Sequence, residues 1–181
     1  MIYKNEKLSK YSWFNLGGPA EVFFKPNSID DLKNFLLNSK NKKDKIFILG
    51  AGSNTLFRDA GFDGIIIKLG KAFTETKLLE NNKIEVGAAT LDKKLSDFAY
   101  QNSLSGLEFL SCIPGSIGGA ITMNSGCYDS DISKIFVSLK AINLEGKIKS
   151  LSKDEVKFFY RGSNLNNKLI ILSVILQGEP A

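Results

Sequence analysis

The sequence predicts an α+β protein made of two small units that share a cleft. Three observations carry this. Short apolar runs with strand character recur along the 181 residues, at Ala20 to Lys25, Lys45 to Leu49, Gly64 to Leu69 and Leu169 to Gln177. Between them stand segments whose apolar residues repeat at helical spacing. Some runs are joined by tight turns and others by single helices, so hairpin and crossover connections are mixed.

The elements follow in order. Ala20 to Lys25 reads as a strand closed by Pro26. Ser28 is a helix N-cap with Asp31 three residues on, and Ile29, Leu32, Phe35 and Leu36 supply an apolar stripe. Lys45 to Leu49 is a short strand that runs into Gly50-Ala51-Gly52-Ser53-Asn54, and Gly64 to Leu69 is an Ile-rich strand. A second unit begins near residue 72. Thr74 to Glu80, the Asn81-Asn82 turn and Lys83 to Ala89 read as a hairpin. Thr90 is expected to cap a helix with Leu91, Leu95, Phe98 and Ala99 on one face. The glycine-rich stretch Ile113 to Gly126 comes next. Ile132 to Asn143 and Gly146 to Ser150 are a strand pair around Leu144-Glu145-Gly146. Ser152-x-x-Glu155 is a capping box expected to open one or two helical turns, and Leu169 to Gln177 is a final strand.

Composition excludes several functions. No apolar run approaches the length needed to span a bilayer, and Met1 to Phe14 has no signal-peptide pattern, so a cytoplasmic location is expected. The net charge is +5, but the lysines form no block: Lys40 to Lys45 is broken by Asn41 and Asp44. A nucleic-acid footprint would cluster basic residues with aromatics, so no nucleic-acid partner is expected. The absence of histidine removes Ser-His-Asp and Cys-His catalysis and the commonest transition-metal ligand, and no metal is expected. Cys112 and Cys127 have no CxxC spacing and read as two buried or half-buried thiols.

Three stretches carry chemistry. Gly50-Ala51-Gly52-Ser53-Asn54 follows a buried strand, where glycines let backbone N–H groups approach phosphate oxygens without a Cβ clash. It is neither a full dinucleotide fingerprint, with Thr55 in place of the third glycine, nor a Walker A loop, and an ordinary tight turn fits it equally. Ile113 to Gly126 is apolar enough to be buried and glycine-rich enough to be irregular. Its backbone needs partners, which a polar cofactor supplies; a packed Gly-Ala helix is the alternative, and both can hold. Phe159-Tyr160-Arg161-Gly162-Ser163 holds one of only two arginines, the other being Arg58. Arg161 fits planar recognition of carboxylate or phosphate, or is a surface arginine. Glu108, between Leu107 and Phe109, either partners a buried donor or points outward.

Taken together, these stretches resemble the MurB family of UDP-N-acetylenolpyruvoylglucosamine reductases. The resemblance rests on Gly50 to Leu56 with Asp59 and Gly61, on Gly106-Leu107-Glu108-Phe109 leading into Ile113 to Ala120 and Met123-Asn124-Ser125-Gly126, and on Tyr160-Arg161-Gly162-Ser163. Phe14 to Ala20 also fits, and the likeness runs from about Tyr11 to Leu176. It implies an FAD-binding fold of the vanillyl-alcohol-oxidase/PCMH type, with FAD between two α+β subdomains, 1–71 and 72–181. The Gly50, Ala51, Gly52, Ser53 and Asn54 loop would hold the pyrophosphate. Pro114, Gly115, Gly119, Thr122, Met123 and Gly126 would line the rest of the flavin, with Ile171 on the last strand also touching it.

The resemblance further implies a reaction in peptidoglycan synthesis. NADPH reduces FAD, and the enolpyruvyl double bond of the UDP-sugar substrate is then reduced to give UDP-N-acetylmuramate. Arg161 is the implied catalytic residue, with Tyr128 and Tyr160 as substrate-side neighbours. The family's proton-donating Ser, in a Gly-Ser-x-Phe-Lys-Asn-Pro motif, and an assisting Glu lie in a C-terminal substrate-binding domain expected to be absent here. Ser163 belongs to the Tyr-Arg motif and does not replace that donor. An alternative expectation is therefore a catalytically incomplete FAD-binding module, the relic of a truncated gene.

Overall fold

A computed structural model describes residues 1–39, 45–166 and 168–181. Most of the Lys40 to Lys45 stretch thus lies outside the described residues. Strands β1 (Ile2–Lys7), β2 (Pro19–Phe24), β3 (Ile46–Ile48) and β4 (Phe62–Ile67) form a first sheet in the order β1-β2-β4-β3. β1 is antiparallel to β2, while β2 and β3 both run parallel to β4. Parallel neighbours need a crossover. Helix α1 (Ile29–Asn38) supplies it between β2 and β3. It starts where Ser28 Oγ accepts from the Asp31 amide at 3.0 Å, and it buries Leu32 and Leu36.

The second sheet begins with the hairpin of β5 (Thr76–Leu78) and β6 (Lys83–Gly87), turned by Asn81 and Asn82 at φ 57° and 58°. Two left-handed residues in succession give the twist that hairpin strands require, and Asn tolerates that region. Helix α2 (Asp92–Gln101) follows, then the two-residue strand β7 (Leu104–Ser105), a 3-10 turn over Glu108–Cys112 and helix α3 (Ile117–Met123). The short pair β8 (Gly126–Cys127) and β9 (Ser130–Asp131) leads into one turn of helix α4 (Ile132–Ile135). Strands β10 (Phe136–Asn143) and β11 (Ile148–Ser152) come next, then the pair β12 (Phe158–Phe159) and β13 (Gly162–Ser163). β14 (Leu169–Gln177) closes the sheet in the antiparallel order β11-β10-β14-β6-β5, and β15 (Glu179–Pro180) pairs with β7.

Three apolar clusters fill the interior. One lies on the α2 and α3 side of the second sheet, and one lies around Leu8, Phe23 and Phe57. A third joins the two sheets: Phe24, Leu32, Leu36, Ile65 and Ile67 pack with Ile142, Leu144, Ile170 and Leu172.

Four expectations from the sequence are corrected. Thr90 does not cap α2; Leu91 takes that position without a side-chain bond, and Thr90 Oγ1 is buried with no partner. Only half of the Ser152–Glu155 box forms: Glu155 Oε2 accepts from the Ser152 amide at 2.8 Å, but Ser152 Oγ donates to that same oxygen instead of accepting from the Glu155 amide, and the result is a turn, not a helix. Ser152 already belongs to β11, so the ladder fixes its backbone as extended. Residues 132 to 135 are helical, because Asp131 caps them by accepting from the Ser133 amide. Cys112 is exposed rather than buried.

Candidate functional site

The Gly50–Asn54 loop leaves the end of β3 and turns under a positive φ of 82° at Gly52. A Cβ at Gly52 would sit 1.8 Å from the Tyr11 carbonyl oxygen, so only glycine fits. The Trp13 amide donates to the Gly52 carbonyl at 3.1 Å and Ser12 Oγ to the Thr55 carbonyl at 2.9 Å, pinning the loop from behind. Among the described residues, the amides of Ala51, Gly52, Ser53 and Asn54 have no protein acceptor. Successive free amides on a glycine turn are an anion-binding concavity. Lys68, at the end of β4, donates its ammonium to the Gly50 carbonyl; burial first, and Lys25 second, push its pKa below the usual lysine range.

The second stretch meets this loop at Ser116, whose Oγ lies 2.8 Å from where a Cβ on Gly50 would stand. Ser116 is buried. The amides of Ile117 and Gly118 donate to the carbonyls of Thr90 and Ala88 at 2.9 Å, which fixes the entry to α3 against the loop after β6. Asp92 stands behind it, wholly buried, with neither carboxylate oxygen partnered. Burial pushes its pKa up to about 7. α3 ends at Asn124, left-handed at φ 43°.

The third stretch is fastened to that end. Asn124 Nδ2 donates to the Phe159 carbonyl at 3.1 Å, an Arg161 guanidinium nitrogen to the Gly126 carbonyl at 2.8 Å, and Ser163 Oγ to the Thr122 carbonyl at 2.9 Å. Arg161 itself holds φ 55°, and Tyr128 and Asp129 hold 51° and 56°. Left-handed backbone at non-glycine residues is costly and gathers at functional sites. The Arg161 guanidinium also lies over the Tyr160 ring, 5.3 Å from its centroid.

Gly50 to Asn54 therefore adjoin the start of α3, while Thr122, Met123, Gly126, Tyr160 and Arg161 gather at its end. Gly115 precedes the helix, Gly119 lies in its first turn, and Pro114 is exposed. Tyr128 and Tyr160 are at the surface, 83% and 88% exposed, free to meet a ligand. Ile171 is set apart: it is buried in β14 within the cluster that holds Ile117, Ala120 and Ile121. Glu108 points outward and accepts from the Gly106 amide at 2.8 Å. A depression of about 410 Å³ lined by Tyr100, Leu104, Glu108 and Ala181 contains, of these groups, Glu108 alone. Lys68 and Asp92 are residues that sequence reasoning missed, while Asn124 stood in the Met123–Gly126 stretch with no role assigned to it. The lone charge ending the Ile-rich β4 was the signal available for Lys68; burial of Asp92 leaves none.

A family model described as FAD binding domain matches residues 20–152. The chain belongs to the FAD binding domain family. A UDP-N-acetylenolpyruvoylglucosamine reductase from Pelagibacter ubique is 47% identical over 171 residues, which are 94% of this chain and 56% of that protein. One from Rickettsia rickettsii is 43% identical over 174 residues, 96% of this chain and 58% of that protein. The chain thus spans somewhat over half the length of these curated relatives. The crystal structure of the MurB reductase from Thermus caldophilus superimposes with a TM-score of 0.86 at 28% identity, covering 99% of this chain and 64% of that one. At 14% identity, 6-hydroxy-D-nicotine oxidase from Arthrobacter nicotinovorans shares the fold with a TM-score of 0.74.

The residues present fit the family's cofactor. The free amides and the glycine turn at Gly52 suit a pyrophosphate, with Lys68 adding positive charge beneath. No three potential metal ligands cluster among the described residues, and no described helix is long and apolar enough to cross a membrane.

Proposed function

We propose that this chain is the flavin-holding part of a UDP-N-acetylenolpyruvoylglucosamine reductase, working in the cytoplasm with NADPH as hydride donor. The observation that carries this reading is the fastening of the Phe159–Ser163 turn to the end of α3 by three hydrogen bonds. It joins the one arginine outside the Arg58 loop to the glycine-rich stretch. The division into residues 1–71 and 72–181, with the four-stranded sheet in the first and the five-stranded sheet in the second, belongs to the same proposal.

FAD, when bound, supplies the hydride chemistry between NADPH and the enolpyruvyl double bond. The chain's own residues bind and orient. Gly50, Ala51, Gly52, Ser53 and Asn54 present amides to the pyrophosphate. Pro114, Gly115, Gly119, Thr122, Met123 and Gly126 line the remaining length, and Ile171 supports α3 from below. Arg161, held by the Gly126 carbonyl and the Tyr160 ring, faces the substrate carboxylate and steadies the negative charge that grows beside it during reduction. A guanidinium keeps its charge at any working pH, so this duty needs no proton transfer. Tyr128 and Tyr160 flank the UDP-sugar. Proton donation to the product, and closure over the UDP-sugar, belong to the part of the relatives' length that this chain does not span.

The test is the visible spectrum of the purified chain after incubation with FAD and removal of free dye. Flavin bands at one equivalent support the cofactor site. A folded but colourless protein overturns the proposal that these residues form a competent site by themselves.

A further inference from the structure

The two cysteines, far from any paired spacing in the sequence, are brought to one 3-10 turn by the fold. Cys127 Sγ donates to the Phe109 carbonyl at 3.2 Å. Phe109 and Cys112 lie three residues apart in the same 3-10 turn, where the carbonyl of one residue faces the amide of the third residue on. The Cys127 thiol is therefore lodged against the turn that carries Cys112. Cys112 is exposed, with Ser111 Oγ 3.6 Å from its sulfur, and Cys127 is half-buried. Burial pushes the Cys127 thiol up, the neighbouring Cys112 adds to this, and Arg161 pulls the other way.

We propose that Cys112 and Cys127 form a reversible redox pair, oxidised by hydrogen peroxide to a disulfide that ties the 3-10 turn to β8. Cys112, open to solvent, reacts first. Its thiolate attacks one peroxide oxygen, an S–O bond forms, the O–O bond breaks and water leaves, giving a sulfenic acid. The Cys127 thiolate then attacks the Cys112 sulfur, the S–S bond forms, the S–O bond breaks and a second water leaves. Two thiols are oxidised by two electrons in all and one peroxide is reduced to two waters. A small thiol such as glutathione restores the pair by exchange. Exposure divides the roles: the accessible sulfur meets the oxidant and the half-buried one resolves it. The bond forms next to Gly126, the residue whose carbonyl holds Arg161.

The test uses the whole purified chain, treated with one to a few equivalents of peroxide. Intact mass and non-reducing peptide mapping identify the product, with Cys112→Ser and Cys127→Ser as controls. The expected result is loss of both titratable thiols and of two hydrogens in mass, one Cys112–Cys127 cross-link within the monomer, and full return on reduction. In Cys127→Ser, Cys112 should stop at the sulfenic acid or overoxidise. Added oxygen on Cys112 in the parent chain with Cys127 still free, or cross-linked dimers as the main product, would overturn the proposal. A dithiol-bridging arsenical gives an independent reading: one equivalent should bind the parent chain and protect both thiols, and failure to do so counts against the pair.

Discussion

A Cβ at Gly115 would lie 2.4 Å from Oδ2 of Asp92, so glycine at one position and a carboxyl at the other form a single packing unit. Asp92 also donates its amide to the Gly115 carbonyl at 3.2 Å. Gly115→Ala should therefore destabilise the fold by about 1–3 kcal/mol through overpacking. Asp92→Ala should accept the new methyl group, so the double variant should be more stable than the sum of the single changes requires. Denaturant midpoints around this cycle check it; strict additivity would show that the two positions do not share a site.

Asp92 also sets a pH dependence. Its pKa is pushed up to about 7 by burial, above the ordinary carboxylate value. Between the unfolded and folded values the native state holds more protons than the unfolded one, so stability falls as pH rises from about 4 to about 7, at up to roughly 1.4 kcal/mol per pH unit. Asp92→Asn keeps the site neutral at every pH. Its thermal midpoint should match the parent near pH 4 and exceed it at pH 8. Parallel curves would show that the carboxyl does not titrate in this window.

The glycine turn of the first loop gives a sharper test of the cofactor site. Gly52→Ala forces a side chain into both a left-handed φ and the Tyr11 carbonyl. FAD affinity, read by quenching of flavin fluorescence, should drop by about tenfold or more while the far-ultraviolet dichroism stays native, since 1.4 kcal/mol of strain already equals a tenfold change. Unchanged affinity would place the pyrophosphate elsewhere.

Arg161 separates holding from turnover. In a protein of the relatives' full length, Arg161→Ala should keep stoichiometric flavin and lose about two orders of magnitude or more in reductase turnover, the scale seen when one donor to developing charge is removed. Steady-state assay with flavin quantified in the same sample checks both halves. Wild-type turnover would remove Arg161 from the substrate site.

Ser28→Ala should cost about 1 kcal/mol of stability through loss of the α1 cap, with no effect on flavin binding. Chemical denaturation measures the first and titration the second.

Legibility in the sequence followed how local the cause was. The Ser28 cap, the Asn81-Asn82 turn and the bounds of β14 were readable because each depends on a few neighbouring residues. β1 was not: as an edge strand exposed on nearly every residue, it shows no alternation. The Ser152–Glu155 box had one of its two bonds foreseen and its conformation misread, because β11 claims Ser152 for its pairing with β10. In the site, glycines announce themselves by the backbone freedom they provide. Lys68 and Asp92 do not, since their importance comes from burial beneath loops far away in sequence.

The cluster shared by the two sheets has a kinetic consequence. Because Phe24 and Leu32 share one buried cluster with Ile142 and Ile170, the two sheets cannot swing apart without wetting hydrocarbon. A ligand therefore meets walls that already stand at their final separation. The observed association rate for FAD should rise in proportion to its concentration without levelling off, the signature of simple capture rather than of waiting for a door to open.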